Sequence, residues 1–250
     1  MRLTRVFVDA PLTTGLAVDL PEGAARHVAR VLRLAAGDAL RVFNGRGGEF
    51  EATIDSIRRD AVAVRIGAHH PVERESGLDI VLLQGIARGE KMDLILQKAT
   101  ELGARAFVPV MMARSTVRLD ERTALTRRQH WQAVVASACE QCGRNAVPAV
   151  AAPTPLQHCL RQAQGLRLLL APGEDSLPLP TLLARAAPAG APLPAIALLV
   201  GPEGGFDAAE TASALSAGFL PCRLGPRVLR TETAGLAALA ALQTLAGDLR

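Results

Sequence analysis

Apolar strands that alternate with helical segments are the feature that most constrains the fold of this sequence. From Leu78 onward, short apolar runs typical of buried strands are separated by stretches with helical periodicity. The predicted strands are Leu78–Leu83, Ala106–Met112, Leu166–Ala171, Ala195–Val200 and Phe219–Leu224, and the predicted helices are Lys91–Leu102, Glu121–Cys142, Asp207–Ala217 and Glu232–Ala246. Such alternation predicts an α/β fold with a mostly parallel sheet.

The first seventy residues carry a different pattern of short strands and turns. The glycines within residues 44–48 fit a hairpin turn, and Ala24–Leu34 has the periodicity of an amphipathic helix with a basic side. Residues 70–77 are polar and fit a linker. We therefore expect a β-rich domain over residues 1–72 and an α/β domain over residues 73–250. The β-type stretches of the first domain are Ala39–Phe43, Glu49–Ile54 and Ala61–Ile66.

The basic residues of the chain permit a nucleic-acid partner without requiring one. The formal net charge is +4, and only Lys91 and Lys98 among the 28 basic residues are lysines, so arginine dominates. Guanidinium groups suit phosphates and base edges, although an arginine-rich and alanine-rich composition also fits a GC-rich genome. With one Trp, six Phe and no Tyr, the chain has little material for stacking bases on aromatic rings.

Targeting signals and metal motifs are not evident in the sequence. The N-terminal residues lack the apolar run of a signal peptide, and no stretch of about 18 apolar residues occurs, so we expect a soluble, cytoplasmic protein without a membrane partner. Cys139 and Cys142 form a CxxC pair inside a predicted helix, where helix packing is favoured over zinc or redox chemistry. The histidines show no metal-ligand spacing, and no metal is expected.

Other common catalytic motifs are incomplete. Gly85–Lys91 is one residue short of the Walker A spacing and lacks the Ser or Thr that follows its lysine, so it is interpreted as a strand-to-helix loop. No GxSxG sequence occurs, which disfavours a serine hydrolase.

The sharpest local motif is a buried strand that leads into a glycine-rich turn and then a helix. Its sequence over residues 198–207 is LLVGPEGGFD, and Asp207 with Glu210 resembles a capping box. Glycines at the carboxyl end of a parallel strand allow a ligand to approach the backbone, and open α/β sheets place cofactors there. The spacing is not GxGxxG, which disfavours a conventional dinucleotide site.

A second motif of the same kind follows over residues 224–234, with the sequence LGPRVLRTETA. Thr231 fits the N-cap of the last helix, and Glu232 fits its first turn. Arg230 has no such explanation, because a cation beside a helix N-terminus opposes the helix dipole and needs another partner.

Together these two motifs resemble the ribosomal RNA small-subunit methyltransferase E family of the SPOUT superfamily. Further segments resemble that family in order and spacing, so the resemblance covers nearly the whole chain. They include Lys91-Met92-Asp93, the stretch from Lys98 to Gly103, Arg114-Ser115, the stretch from Glu140 to Arg144, and parts of residues 27–45.

The resemblance implies a function that the pattern alone does not reach. It implies methylation of N3 of a uridine in 16S rRNA with S-adenosylmethionine (SAM) as cofactor, a PUA-like RNA-binding domain over residues 1–72, and a SPOUT methyltransferase domain with a C-terminal trefoil knot over residues 73–250. It also implies a homodimer that acts on 16S rRNA or the assembled small ribosomal subunit. The cofactor would be held by Leu199, Gly201, Pro202, Glu203, Gly204, Gly205, Leu224, Gly225, Leu229, Thr231 and Ala234.

Candidate catalytic and RNA-binding residues follow from the chemistry of that reaction. Transfer to uracil N3 requires loss of the N3 proton and stabilisation of the resulting negative charge, for which guanidinium groups are suited. Arg230, Arg114 and Arg144 are candidate donors to uracil carbonyls or RNA phosphate. Glu140 or Glu232 could orient an arginine or serve as the base, and each could equally belong to a structural salt bridge. The arginines predicted to bind RNA are Arg30, Arg33 and Arg46.

Two other classes of function compete with the methyltransferase. A non-catalytic PUA-type RNA-binding protein is the main alternative, but it would not need two glycine-rich loops for close cofactor approach. A nucleotide-dependent oxidoreductase is disfavoured because the GxGxxG spacing is missing.

Overall fold

The computed structural model describes residues 3–59, 61–171, 173–187 and 191–249. The chain forms two compact units. The first unit comprises Met1–Glu75 together with Ala136–Val147, and the second comprises Ser76–Val135 together with Pro148–Arg250.

The first unit is built on a five-stranded sheet with the order β1-β3-β4-β5-β2. Strands β3, β4 and β5 form an antiparallel meander, and β1 joins β3 in parallel. Alternating apolar residues such as Leu40, Val42, Ile54 and Val64 face its core. The strands are β1 (Arg5–Phe7), β2 (Ala17–Asp19), β3 (Ala39–Phe43), β4 (Glu49–Arg58) and β5 (Ala61–His70).

These strands confirm the predicted β-type stretches, although β4 and β5 run four residues further than predicted. The hairpin turn is also confirmed, because Gly45, Gly47 and Gly48 have φ angles of 78°, 93° and 65° that favour glycine. The predicted helix over Ala24–Leu34 is shorter and irregular. It consists of α1 (Glu22–Arg26) and a π-helical turn at His27–Val31.

A buried polar network holds residues 136–147 within the first unit. The Arg5 guanidinium donates to the Asn145 side-chain oxygen at 2.8 Å and to the Arg144 carbonyl at 2.9 Å, and it forms an ion pair with Glu49. Arg144 itself pairs with Glu75 at 2.6 Å. These contacts explain why a segment from the middle of the chain belongs to the N-terminal unit.

The second unit contains an eight-stranded sheet in which every strand pair is parallel. Its order is β11-β13-β10-β12-β6-β7-β8, with β9 paired to β7. The strands are β6 (Ile80–Gly85), β7 (Ala106–Met111), β8 (Ala149–Val150), β9 (Thr154–Pro155), β10 (Leu166–Leu170), β11 (Leu177–Pro178), β12 (Ile196–Val200) and β13 (Leu220–Arg223). The predicted α/β fold with a mostly parallel sheet is confirmed.

Helices follow the strands as the periodicity predicts. Four of them confirm predicted helices to within one residue at each end, namely α2, α3, α6 and α7. The helices are α2 (Glu90–Glu101), α3 (Glu121–Cys142), α4 (Leu156–Gln162), α5 (Leu179–Ala186), α6 (Ala208–Ser216) and α7 (Thr231–Ala246). Residues 136–142 at the end of α3 lie in the first unit.

The position of strand β12 indicates where a ligand can bind in the second unit. All five of its residues are buried, and it lies between β10 and β6. The neighbouring parallel strands therefore end at the same edge of the sheet as β12, and the loops that follow them gather there.

Neither a membrane-spanning helix nor a metal-ion site is found in the described part of the chain. None of its helices is both long enough and apolar enough to span a membrane, and its histidine, cysteine and carboxylate side chains form no group of three that could hold a metal ion. Cys139 and Cys142 are unpaired thiols in α3, and burial raises the pKa of the Cys139 thiol to about 12. Such a thiol is inert, as the helix-packing interpretation requires.

Candidate cofactor site at the carboxyl edge of the sheet

A cavity of about 630 Å³ opens at the carboxyl edge of the second unit's sheet. This volume lies in the range of small-molecule and cofactor sites. Its walls come from the end of β10, the loop after β12 and the segment before α7. The residues that line these walls are Leu169, Leu170, Ala171, Gly173, Glu174, Asp175, Ser176, Val200, Gly201, Pro202, Glu203, Gly205, Phe206, Thr211, Leu215, Pro221, Val228, Leu229, Arg230, Thr231 and Ala234.

The glycine-rich loop over residues 201–206 forms one wall. Gly205 has a φ angle of 67° and an open space beside it, so this position requires the conformational freedom of glycine. Asp207 and Glu210 form the predicted capping box at the start of α6. The other carboxylate oxygen of Glu210 accepts from the Ala113 N–H at 2.7 Å, which ties the loop to the end of β7.

Gly204, which is predicted to hold the cofactor, is not among the residues that line the cavity. A Cβ atom at Gly204 would lie 2.8 Å from Cβ and 2.9 Å from the carbonyl oxygen of Arg114, and its φ is not positive. The Arg114 guanidinium also donates to the Gly204 carbonyl at 3.2 Å. Close packing against Arg114 is therefore the reason for this glycine.

The segment over residues 228–231 forms a second wall. The N-cap of α7 is Arg230, and Thr231 is the first helical residue, so the prediction of Thr231 as the N-cap is wrong. The Thr231 hydroxyl donates to the Gly201 carbonyl at 2.6 Å and accepts from the side-chain amide of Gln84 at 2.9 Å. This hydroxyl is thus used between the two loops rather than at the helix terminus.

The structure brings most of the predicted cofactor residues to one place. Gly201, Pro202, Glu203, Gly205, Leu229, Thr231 and Ala234 line the main cavity. Leu224 and Gly225 line a smaller cavity of about 50 Å³ that shares Leu229 and Ala234 with the main one. Leu199 is fully buried in the core of the second unit, directly before the loop.

Carboxylates dominate the charged groups of the main cavity. Glu174, Asp175 and Glu203 line it, and the Lys91 ammonium lies 3.6 Å from Glu203 and 3.3 Å from Glu232. A hydrogen bond with its own backbone, together with Lys91 and Arg230, holds the pKa of Glu232 below its ordinary value. Glu232 therefore stays ionised at neutral pH, which makes it a weak base.

Sequence reasoning missed several residues at this site. Residues 173–176 contribute a third wall, and their position directly after a buried parallel strand is a signal that could have identified them. Gln84 lies next to the last residue of the apolar strand β6, and a polar residue at that place was the available signal. Lys91 was predicted at the start of a helix and in a segment that resembles the family, but no role at the cofactor site was assigned to it.

The predicted catalytic residues fall into the two units. Arg230 and Arg114 belong to the second unit, where both are exposed and Arg230 lines the cavity. Arg144 is buried and paired with Glu75 in the first unit. Glu140 also lies there, accepts from the Phe7 N–H at 2.9 Å, and has its pKa raised by burial. Their partners favour the structural interpretation of Arg144 and Glu140.

The predicted RNA-binding arginines are all exposed on the first unit. Arg30 lies in the π-helical turn, and Arg33 follows it with a φ angle of 53°. Arg46 lies at the tip of the hairpin between β3 and β4.

Comparisons with known proteins identify relatives of both units. A family model described as an RNA methyltransferase domain matches residues 74–243, and one described as an RNA methyltransferase PUA domain matches residues 20–67. The protein of Bacillus subtilis named ribosomal RNA small subunit methyltransferase E is 34% identical over 231 residues, which are 89% of this chain and 89% of that protein.

Two solved structures resemble this chain over its whole length. The crystal structure of a ribosomal RNA small subunit methyltransferase E from Neisseria gonorrhoeae, bound to SAM, is 37% identical with a TM-score of 0.91. A Legionella pneumophila protein solved with bound SAM is 39% identical with a TM-score of 0.92. Each comparison covers 100% of both chains.

Proposed function

This chain belongs to the ribosomal RNA small subunit methyltransferase E family, and on that premise we propose that it methylates N3 of a uridine in 16S rRNA with SAM as cofactor. The resemblance read from the two glycine-containing motifs is thereby confirmed. SAM-dependent methylation of rRNA is the activity of this chain. The proposal adds that the methylated nucleoside is a uridine and that the methyl group is transferred to N3.

The cavity fits the cofactor in size and in charge. Bound SAM supplies a methyl group that is activated by a positively charged sulfur. Glu174, Asp175 and Glu203 place negative charge on the walls, which suits a cationic ligand. Leu170 and Leu229 add apolar surface beside them. We propose that these groups and the backbone of residues 201–205 hold the cofactor.

Arg230 is the residue we assign to the charge that develops on the uracil ring. Its side chain is exposed and lines the cavity, and Glu232 attracts it electrostatically. In the part of the chain that the structure describes, no hydrogen bond or ion pair engages its guanidinium, so it can donate to a uracil carbonyl. We propose that Arg114, which is exposed and donates to the Gly204 carbonyl, contacts RNA phosphate.

The finer features of the fold are part of the same proposal. We propose that the segment before α7 passes through the loop after β12 to form a trefoil knot. The hydrogen bond between Thr231 and Gly201 supports it, since it joins the two segments that the knot would bring together.

We also propose a homodimer whose interface includes part of α7. One face of this helix is buried within its own unit, but Leu245 near its end is 48% exposed. Sedimentation at micromolar concentration tests this, because an active monomer would contradict the dimer.

RNA recognition is assigned to the N-terminal part of the chain. We propose residues 1–72 as the RNA-binding domain and residues 73–250 as the methyltransferase domain, although residues 136–147 belong to the first unit of the fold. The family models over residues 20–67 and 74–243 support this division. The exposed Arg30, Arg33 and Arg46 would contact 16S rRNA or the assembled small subunit, since arginine binds phosphate in a bidentate manner. A cytoplasmic location stays a prediction.

The single observation that carries the proposal is the cavity formed by the two family motifs. The non-catalytic RNA-binding alternative is not favoured, because a pure binder does not need a cofactor-sized cavity lined by both glycine-containing segments. Nucleoside analysis of 16S rRNA from a strain that lacks the gene tests the proposal. We expect loss of one 3-methyluridine, which returns when the gene is restored, and an unchanged nucleoside profile would contradict it.

A further inference from the structure

Gln84 is a fully buried polar residue in the middle of an apolar sheet. It is the last residue but one of β6, whose sequence is IVLLQG, and its register partners are Val200 on β12 and Pro109 on β7. Its relative exposure is 0%. Apolar side chains would fill such a position without the cost of burying an amide. The glutamine therefore needs a reason other than packing.

The hydrogen bonds of Gln84 supply that reason. Its amide nitrogen donates to the Thr231 hydroxyl at 2.9 Å and to the Gly85 carbonyl at 3.0 Å. The Thr231 hydroxyl then donates to the Gly201 carbonyl at 2.6 Å. Since Thr231 and Gly201 belong to two different walls of the cavity, one chain of hydrogen bonds joins β6 to both of these walls.

The orientation of the amide is fixed by these partners. A flipped amide would place its oxygen against the Gly85 carbonyl, and two acceptors would face each other. In the observed orientation, the Gln84 side-chain oxygen is buried and accepts no hydrogen bond from the described residues. The orientation that leaves the Gln84 oxygen without a described partner is thus the one in which the Gln84 amide nitrogen donates to the Thr231 hydroxyl.

The end of β6 also supports the glycine-rich loop directly. A Cβ atom at Gly85 would lie 2.6 Å from the backbone nitrogen of Pro202 and 2.9 Å from the Gly201 carbonyl carbon. The backbone of the loop therefore packs directly against Gly85, and the side chain of Gln84 donates a hydrogen bond to Thr231. Two walls of the cavity thus contact two consecutive residues of one strand.

We propose that Gln84 is a positioning residue of the cofactor site, which acts through Thr231 to hold the two loops at the separation that SAM requires. This inference rests on the proposed function. Gln84 does not line the cavity, so its effect on the cofactor is indirect.

A matched control comes from the second fully buried glutamine of the same unit. Gln243 near the end of α7 is 1% exposed, donates to the Leu102 carbonyl at 3.0 Å and accepts from the Ser76 hydroxyl at 2.8 Å. Its hydrogen bonds are comparable in number, but none of these residues lines the cavity. Replacement of either glutamine by methionine keeps the length of the side chain and removes the amide.

The test is calorimetric titration of the full-length protein with SAM, together with thermal unfolding of each variant. We expect Gln84→Met to weaken SAM binding about tenfold, the factor expected for a buried hydrogen bond lost with its partner left unpaired. Gln243→Met should lower the melting temperature and leave the affinity unchanged. The inference would be overturned if Gln84→Met bound SAM as tightly as the wild type, or if Gln84→Met and Gln243→Met lost the same amount of SAM affinity.

Substitutions of Thr231 test the same chain of hydrogen bonds if Gln84→Met does not fold. Thr231→Val removes the hydroxyl and should weaken SAM binding as Gln84→Met does, whereas Thr231→Ser should restore most of the affinity. The double variant should bind no more weakly than either single variant, because both break one chain. Full additivity, or Thr231→Ser as weak as Thr231→Val, would overturn the inference. Failure of the wild-type protein to bind SAM would instead reject the proposed function.

Discussion

Gly85→Ala tests whether the glycine-rich loop depends on its close approach to β6. The added Cβ atom would lie 2.6 Å from both the backbone nitrogen and Cδ of Pro202, whereas ordinary van der Waals contact begins at 3.4 Å. The loop must therefore retreat by roughly 0.8 Å, the difference between these two distances. Neither atom is the end of a flexible side chain, so rotation of a side chain cannot relieve the contact.

The expected magnitude follows from the cost of overpacking. Inserting a methyl group into a well-packed site costs about 1–3 kcal/mol. If the loop moves to relieve the contact, this energy is lost from cofactor binding, and SAM affinity falls roughly 5- to 150-fold. Replacing glycine also stabilises the fold by about 0.4–1 kcal/mol, but this gain comes from the lower entropy of the unfolded chain and does not enter the affinity for SAM.

Calorimetric titration with SAM measures this effect, and Gly77→Ala is the matched control. Gly77 precedes β6 in the same unit, and a Cβ atom there meets no described atom within 4 Å. The control should bind SAM as the wild type does. A Gly85→Ala protein that folds and binds SAM within twofold of wild type would show that the loop does not take its position from β6.

Three further predictions separate catalytic from structural roles. Arg230→Ala should bind SAM nearly normally and slow methylation in a single-turnover assay by about 2–4 kcal/mol of barrier, as for loss of one preorganised donor; a wild-type rate would make Arg230 structural. Arg144→Met should lower the free energy of unfolding by about 3–5 kcal/mol in a denaturant titration, because it breaks a buried pair with Glu75; a loss confined to the methylation rate would argue for catalysis instead. Burial raises the pKa of Glu140 above its ordinary 4.5. The folded chain therefore binds the carboxyl proton of Glu140 more tightly than the unfolded chain does. The stability that this proton contributes is fully present below pH 4.5 and is lost as the pH rises through the pKa of the folded chain. Glu140→Gln, whose amide oxygen still accepts from the Phe7 N–H, should therefore gain melting temperature relative to wild type as the pH rises above 4.5. A difference in melting temperature that does not change with pH would count against this reasoning.

Local signals in the sequence predicted the elements and the first wall of the site. The capping box of Asp207 and Glu210 lies within four residues, and its two hydrogen bonds form as expected. The strand β12 and the positive φ of Gly205 belong to one continuous motif. Such features depend on neighbours along the chain, so periodicity and turn chemistry suffice to predict them.

Features that depend on distant residues were missed or misassigned. Thr231 fits an N-cap by its residue type, but its hydroxyl is used by Gly201, 30 positions away, and by Gln84, 147 positions away. Residues 136–142 continue the periodicity of α3 without a break, so nothing local indicates that they belong with Arg5 in the first unit. Side-chain hydrogen bonds between remote segments leave no periodic trace in the sequence.

The most direct test of the central claim is methyl transfer to small-subunit rRNA by the purified protein. The protein would be incubated with SAM that carries a deuterated methyl group and with small subunits from a strain that lacks the gene, and the 16S rRNA would be digested and analysed by mass spectrometry. We predict one deuterated 3-methyluridine per 16S rRNA. At short times Arg230→Ala should form less of this product, in proportion to its slower rate of methylation. Absence of label in the RNA, or label on a different nucleoside, would contradict the account.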